Sequence, residues 1–190
     1  KTCTVFGLPL TYFFVLRPAY LTKCSSEKRD FLDYFPVALI LKPAAVTTPY
    51  HVYPFDTGGA ASGAFKARAN KLVPLEDYEL ETSHEAAAGF IGWAFGSAAS
   101  YFDGVLRGDL QAEIKAAESV ATAYVAIAKL GVTGDPDHDT RASTLEVASA
   151  EHVDLGDNVM LAILPKQLLE LPGRFKTALG DLIAKATEVE

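Results

Sequence analysis

The amino-acid sequence predicts a single α+β domain with about five strands in a mixed or split sheet, two long helices inserted mid-chain and a helix at the C-terminus. Three observations carry this. Aromatic and β-branched runs occur before residue 56 and again after residue 142. Between Thr82 and Leu130 the apolar residues change to a spacing of three and four. The 190 residues are 49% hydrophobic and 22% charged, enough for one full core, and no repeat, low-complexity tract or interdomain linker divides them.

Taken in order, Leu8 to Arg17 (LPLTYFFVLR) reads as a buried strand that closes at Pro18 and carries Arg17 at its end. After a polar connection, Tyr34 to Leu41 (YFPVALIL) supplies a second apolar run. Thr47 to Phe55 (TTPYHVYPF) is a third, in which Pro49 and Pro54 each remove a ladder donor, so this strand belongs at an edge. Thr82 with Glu85 has capping-box spacing and starts a helix expected to reach about Phe102. That stretch holds no charge from Ala86 onward but contains Gly89, Gly92, Gly96, Ser97 and Ser100. It therefore reads as a buried helix and not a membrane span, with the glycines offering a bare stripe for close packing. Asp109 to Leu130 is a second amphipathic helix that Gly131 ends, paired with the first across the Gly104 to Gly108 turn. Ser143 to Val153 and Val159 to Leu164 read as two further strands, and Arg174 to Thr187 as the final helix.

Composition narrows the function. A net charge of -7 and a pI near 5.1, with no stripe of Lys and Arg, exclude a nucleic-acid surface and favour a small-molecule ligand or a protein partner, another copy of the chain included. Cys3 and Cys24 are too few for a disulfide framework, which points to a reducing cytoplasm, although one Cys3–Cys24 bridge stays open. Near Lys1 there is no charged leader running into an apolar core, so no retained signal peptide is expected.

The stretch richest in chemistry is Val46 to Gly63, where His51, Tyr50, Tyr53, Asp56 and Thr57 precede a Gly58-Gly59 pair read as a flexible turn. Asp56-Thr57-Gly58 has the three letters of the aspartic-protease turn, but Pro54 interrupts the approach and Phe90-Ile91-Gly92 falls in a helical stretch. Asp56 and Thr57 then read as braces of the turn. Asp135, Asp137, Asp139 and Glu146 fall at positions one, three, five and twelve of a calcium loop, with Thr140 where that loop needs glycine; a solvated acidic turn is the competing reading.

Arg141-Ala142-Ser143-Thr144-Leu145-Glu146-Val147, followed by a strand that leads to Leu164-Pro165, resembles the C-terminal half of ADP-ribosyltransferase-like domains, in which a Ser/Thr segment enters a strand bearing the catalytic Glu. The resemblance covers about a third of the chain. It implies NAD bound in the cleft of a split sheet, with Glu146 on the nicotinamide ribose. Arg17 or His51 would hold the cofactor, with Arg141 also on the cofactor side, and Tyr50 or Tyr53 would stack on nicotinamide. The expected catalytic set is Glu146, His51 and Asp56. The alternative class is a non-catalytic, self-associating or partner-binding interaction module, and convergence of those three side chains in one concave pocket separates the two.

Overall fold

The strand-like runs pair as two small antiparallel sheets, which gives the α+β class that the sequence predicts, with the sheet split. The computed structural model describes residues 2–17, 38–114, 119–132 and 138–163, with positions 177 and 180. The expected final helix, Pro18, residues 34–37, Leu164 and Pro165 lie outside the described residues apart from those two positions. The chain divides into two units, Lys1–Lys23 with Thr48–Glu151, and Cys24–Thr47 with His152–Glu190.

The first unit holds strands β1 (Thr11–Phe14), β3 (His51–Tyr53) and β4 (Glu146–Ser149) in the order β1-β4-β3. β3 lies at an edge, as its flanking prolines predict, and the Leu80 N–H donates to the Val52 carbonyl at 2.9 Å. The second unit holds β2 (Ala38–Leu41) and β5 (Val159–Ile163), antiparallel with a register shift at Ile40 and Leu41.

Local caps decide the helices more finely than apolar spacing does. Asp56 accepts the Gly59 N–H at 2.6 Å and opens α1 (Thr57–Ser62), which stops at Gly63 with φ +85°. The Gly58-Gly59 pair is thus the first turn of a helix and not a loop. A Cβ on Gly59 would lie 3.0 Å from the Phe65 ring, so close packing explains the glycine. Ser83, one residue past the expected cap, accepts the Ala86 N–H and starts α2 (His84–Phe95). α2 ends at Gly96, φ +79°, and Ser97 immediately recaps α3 (Ala98–Asp103), so the helix expected to reach Phe102 is two helices. The second expected helix is also interrupted: α4 (Leu110–Glu113) ends where the Ile114 backbone turns extended, and α5 spans Ser119–Ala128.

The glycine stripe does not carry the helix packing. A Cβ at Gly89 or Gly92 would meet nothing within 4 Å. α2 meets α5 through rings, Phe90 and Trp93 standing 4.9 and 6.2 Å from Tyr124. Gly131, expected as a helix stop, serves a close approach, because a Cβ there would fall 1.9 Å from the Ser143 hydroxyl.

Tyr101 is fully buried, and its hydroxyl joins the helices to the sheet. Beyond Phe14, the Val15 N–H donates to the Leu145 carbonyl at 3.0 Å. The return bond of that pair runs through the phenol: the Leu145 N–H donates to the Tyr101 oxygen at 2.9 Å, and the hydroxyl donates to the Val15 carbonyl at 2.8 Å. A group that both donates and accepts can be inserted into a ladder without leaving either backbone partner unsatisfied. Tyr124 and Tyr78, by contrast, bury hydroxyls with no hydrogen-bond partner among the described residues.

These contrasts set two expectations for stability. Tyr101→Phe strands a buried N–H and a buried C=O and should lower unfolding free energy by about 2 to 3 kcal/mol, whereas Tyr124→Phe should be neutral or stabilising. Urea unfolding of the two variants checks the difference. In the same assay Gly92→Ala should stabilise by about 0.5 to 1 kcal/mol, because the helix gains propensity and nothing is crowded; a loss would mean that this face is packed.

Candidate functional site

Register places the site. β4 pairs with both neighbours, giving one row of Phe14, Glu146 and Tyr53 and a second of Tyr12, Ala148 and His51. Directly opposed residues share a face and alternate rows return to it, so all six side chains emerge on one side of the sheet. Val52, Val147 and Phe13 take the other side.

Glu146 is only 4% exposed, so the alternation of the strand turns it inward and not to solvent. α1 receives it. The Thr57 hydroxyl donates to Glu146 Oε1 at 2.5 Å, and the Thr57 N–H points at the same oxygen from 3.4 Å. Glu146 Oε2 accepts no hydrogen bond among the described residues. Burial raises the Glu146 pKa from its ordinary 4.5 to about 7; the Thr57 hydroxyl opposes the rise and the charge of Asp56 adds to it. Asp56, itself buried, is tied down on both sides: its N–H donates to the Arg141 carbonyl at 3.0 Å and its Oδ1 caps α1.

The N-terminal residues form the facing wall. The chain reverses through Gly7, with the Cys3 N–H on the Leu8 carbonyl at 2.7 Å and the Gly7 N–H on the Cys3 carbonyl at 3.0 Å. Phe6 stacks on His51, ring centroids 4.3 Å apart, and fixes this loop over the sheet face. Cys3 is then brought to Tyr12, whose hydroxyl donates to Sγ at 2.7 Å, and the Val5 N–H points at the same sulfur from 3.3 Å. Burial pushes the thiol pKa up, but these donors and the Phe6 backbone outweigh it, and the net shift is downward. Burial and the neighbouring sulfur raise Tyr12. Between wall and sheet lies a cleft of about 400 Å³ lined by residues 2–5, Leu10, Tyr12, Asp56, Thr57, Gly58 and Glu146.

A second hollow, about 430 Å³, lies beside α2 and α5 and is lined by Phe90, Trp93 and Tyr124; its carboxylates are Asp77, which is exposed, and Glu79, which is bonded to His51. The smaller cleft is the candidate site, because a thiol, a phenol and two buried carboxyl groups meet in it.

Of the residues predicted from sequence, Glu146 and Asp56 converge in this cleft. His51 does not line it: Nδ1 is 2.5 Å from Glu79 and Phe6 covers the ring. Tyr53, beside Glu146 in register, is 1% exposed and directs its hydroxyl to Glu79, so no ring face is open for stacking. Tyr50 is exposed and sets its ring edge-on to His51. Arg17 is buried over the Tyr101 ring and donates to the Ser143 hydroxyl and carbonyl at 2.6 and 3.2 Å. The Arg141 guanidinium is held by Asp139, and its carbonyl, not its charge, serves the site by anchoring Asp56. For the calcium spacing, Asp139 is engaged by Arg141 and Glu146 by Thr57, while Asp135 and Asp137 lie outside the described residues. Among the described residues no group of three or more His, Cys, Asp and Glu gathers as a metal site.

Sequence reasoning missed Cys3 and Tyr12 as site residues and read Thr57 only as a brace of its own turn. The two-residue spacing of Tyr12 and Phe14 was the available signal for Tyr12; nothing local linked Cys3 or Thr57 to Glu146. No Lys or Arg is among the described residues that line the cleft, and a pyrophosphate needs cations or a row of free N–H donors. What the lining can do is exchange a proton with, and offer a nucleophile to, a small uncharged or cationic substrate.

The raised Glu146 pKa makes stability depend on pH. A carboxyl protonated more readily in the folded chain stabilises fully below 4.5, and that contribution is lost as pH rises through about 7. The shift is worth about 3 kcal/mol. Urea unfolding at pH 5 and pH 8 should therefore show a larger loss for the parent than for Glu146→Gln, and parallel curves would reject the buried acid. Comparison with family models, curated proteins and solved structures finds no match to this chain.

Proposed function

We propose that this chain is a hydrolase or group-transfer enzyme in which Glu146 passes a proton to and from a small polar substrate held in the cleft. The observation that carries this is the placement of Glu146: buried on a strand, one oxygen fixed by Thr57 and the other unpartnered toward the cleft. A structural carboxylate in a protein interior is normally paired with a cation or bonded through both oxygens, since each uncompensated lone pair costs free energy. Here the charge that acts on it is that of another carboxyl group, Asp56, an arrangement that works against ionisation and suits a proton donor at neutral pH. Asp56 acts at a distance from the reacting atoms. It caps α1 and so sets where Thr57 holds Glu146.

ADP-ribosyl transfer, which the Arg141–Val147 resemblance implies, would use Glu146 differently, as a carboxylate hydrogen-bonded to the nicotinamide ribose, and the lining favours a substrate without a pyrophosphate. The interaction-module reading draws instead on β2 and β5, where Ile40, Met160, Leu161 and Ile163 are exposed.

The leaving group supplies the test. Alkyl esters and glycosides need a proton on the departing oxygen, whereas p-nitrophenyl compounds need it far less. Glu146→Gln should reduce turnover of the alkyl substrates by about 100-fold or more and of the p-nitrophenyl substrates by much less. Parent activity should fall as pH rises above about 7. Equal losses for both leaving groups would remove Glu146 as the donor, and absence of turnover on either class would sink the enzyme reading. Nicotinamide release from NAD that depends on Glu146 would favour ADP-ribosyl transfer.

A further inference from the structure

We propose that Cys3 is the nucleophile of this cleft, its thiolate attacking the carbonyl carbon of a small uncharged ester, thioester or amide. The inference deepens the role given to Glu146 and rests on it for the proton. Two features separate Cys3 from a packing thiol. The sulfur receives two donors, the Tyr12 hydroxyl at 2.7 Å and the Val5 N–H at 3.3 Å, a pattern that stabilises S⁻ over S–H. It also shares its cleft with a carboxyl group that is 4% exposed and has an unpartnered oxygen. Cys3 is itself half-buried and not in a disulfide, so a small molecule can reach it. The groups facing it are Tyr12, Asp56 and Glu146, with Thr2, Thr4, Val5 and Leu10 completing the wall. No base is required to activate a thiol already held by donors, which leaves Glu146 free to act as acid first and base second.

The step balances without a cofactor. The Cys3 thiolate forms a C–S bond to the carbonyl carbon. The bond to the leaving oxygen, sulfur or nitrogen breaks, and protonated Glu146 gives that atom its proton. Water then attacks the thioester, the Glu146 carboxylate takes a proton from the water, and the C–S bond breaks to return the thiolate and a carboxylic acid. A carboxyl group with a pKa near neutrality serves both halves of this cycle.

The experiment uses the full chain, first with iodoacetamide at pH 7 and peptide mass spectrometry, then with p-nitrophenyl acetate. Cys3 should alkylate about tenfold faster in the folded parent than in Tyr12→Phe or in urea-unfolded parent. With p-nitrophenyl acetate an acetyl group should appear on Cys3, and it should persist longer in Glu146→Gln. Alkylation no faster than in the unfolded chain, an acetyl group found elsewhere but never on Cys3, or Cys3 recovered in a disulfide with Cys24 would each overturn the proposal. Fast alkylation and acetylation of Cys3 with deacetylation unchanged in Glu146→Gln would support the nucleophile and remove Glu146 from the proton role, so the two readings fail separately.

Discussion

The structure around the site depends on one hydroxyl. At the end of the β1–β4 ladder one bond of the Val15–Leu145 pair is direct and the other is relayed through Tyr101, which accepts from Leu145 and donates to Val15. Backbone groups buried at that depth need partners, and the phenol satisfies both at once. Glu146 is the next residue after Leu145. Helix α3, which carries Tyr101, thus fixes the height at which the carboxyl group enters the cleft.

A second constraint runs through the polar residues beneath that entry. Ser143 and Thr144 are buried, the first bonded to Arg17 and the second to the Thr140 carbonyl at 2.7 Å, while the Arg141 carbonyl holds Asp56. The turn that leads into β4 therefore positions both carboxyl groups of the cleft, Glu146 through the strand and Asp56 through one backbone bond. Hydrogen-bonded polar clusters of this kind specify geometry more than they stabilise it. Burying Glu146 with no cation beside it among the described residues costs stability.

The opposite wall is built differently. It is a short N-terminal reversal held by two backbone bonds, the Phe6–His51 stack and the Cys3–Tyr12 contact, and none of residues 2–10 is buried. A wall with so few buried contacts opens at lower free energy than the sheet it covers. The cleft thus combines a sheet floor bearing two carboxyl groups with an N-terminal wall bearing a thiol. His51 serves this wall as a platform, which explains why the histidine most prominent in the sequence stands outside the cleft.

The sequence by itself determined the α+β class, the edge position of the proline-flanked strand and the helical middle of the chain, because these follow from local spacing and from missing N–H donors; Glu146 was singled out through the ADP-ribosyltransferase resemblance and Asp56 through the chemistry of its turn. It also carried the caps that cut the long helices, Gly96-Ser97 above all, although apolar spacing alone ran through them. Only the tertiary structure decided that Glu146 is buried and that Thr57 holds it. Alternation tells which residues share a face but not which face another element covers, and α1 arrives from the far side of the sequence. Pairing of β1 with β4 brings Tyr12 beside that carboxyl group across more than a hundred residues, and reversal at Gly7 brings Cys3 to Tyr12. Long-range register and chain reversal are set by the free energy of the whole packing, which no window of sequence contains, so the thiol half of the cleft was invisible until the strands were paired.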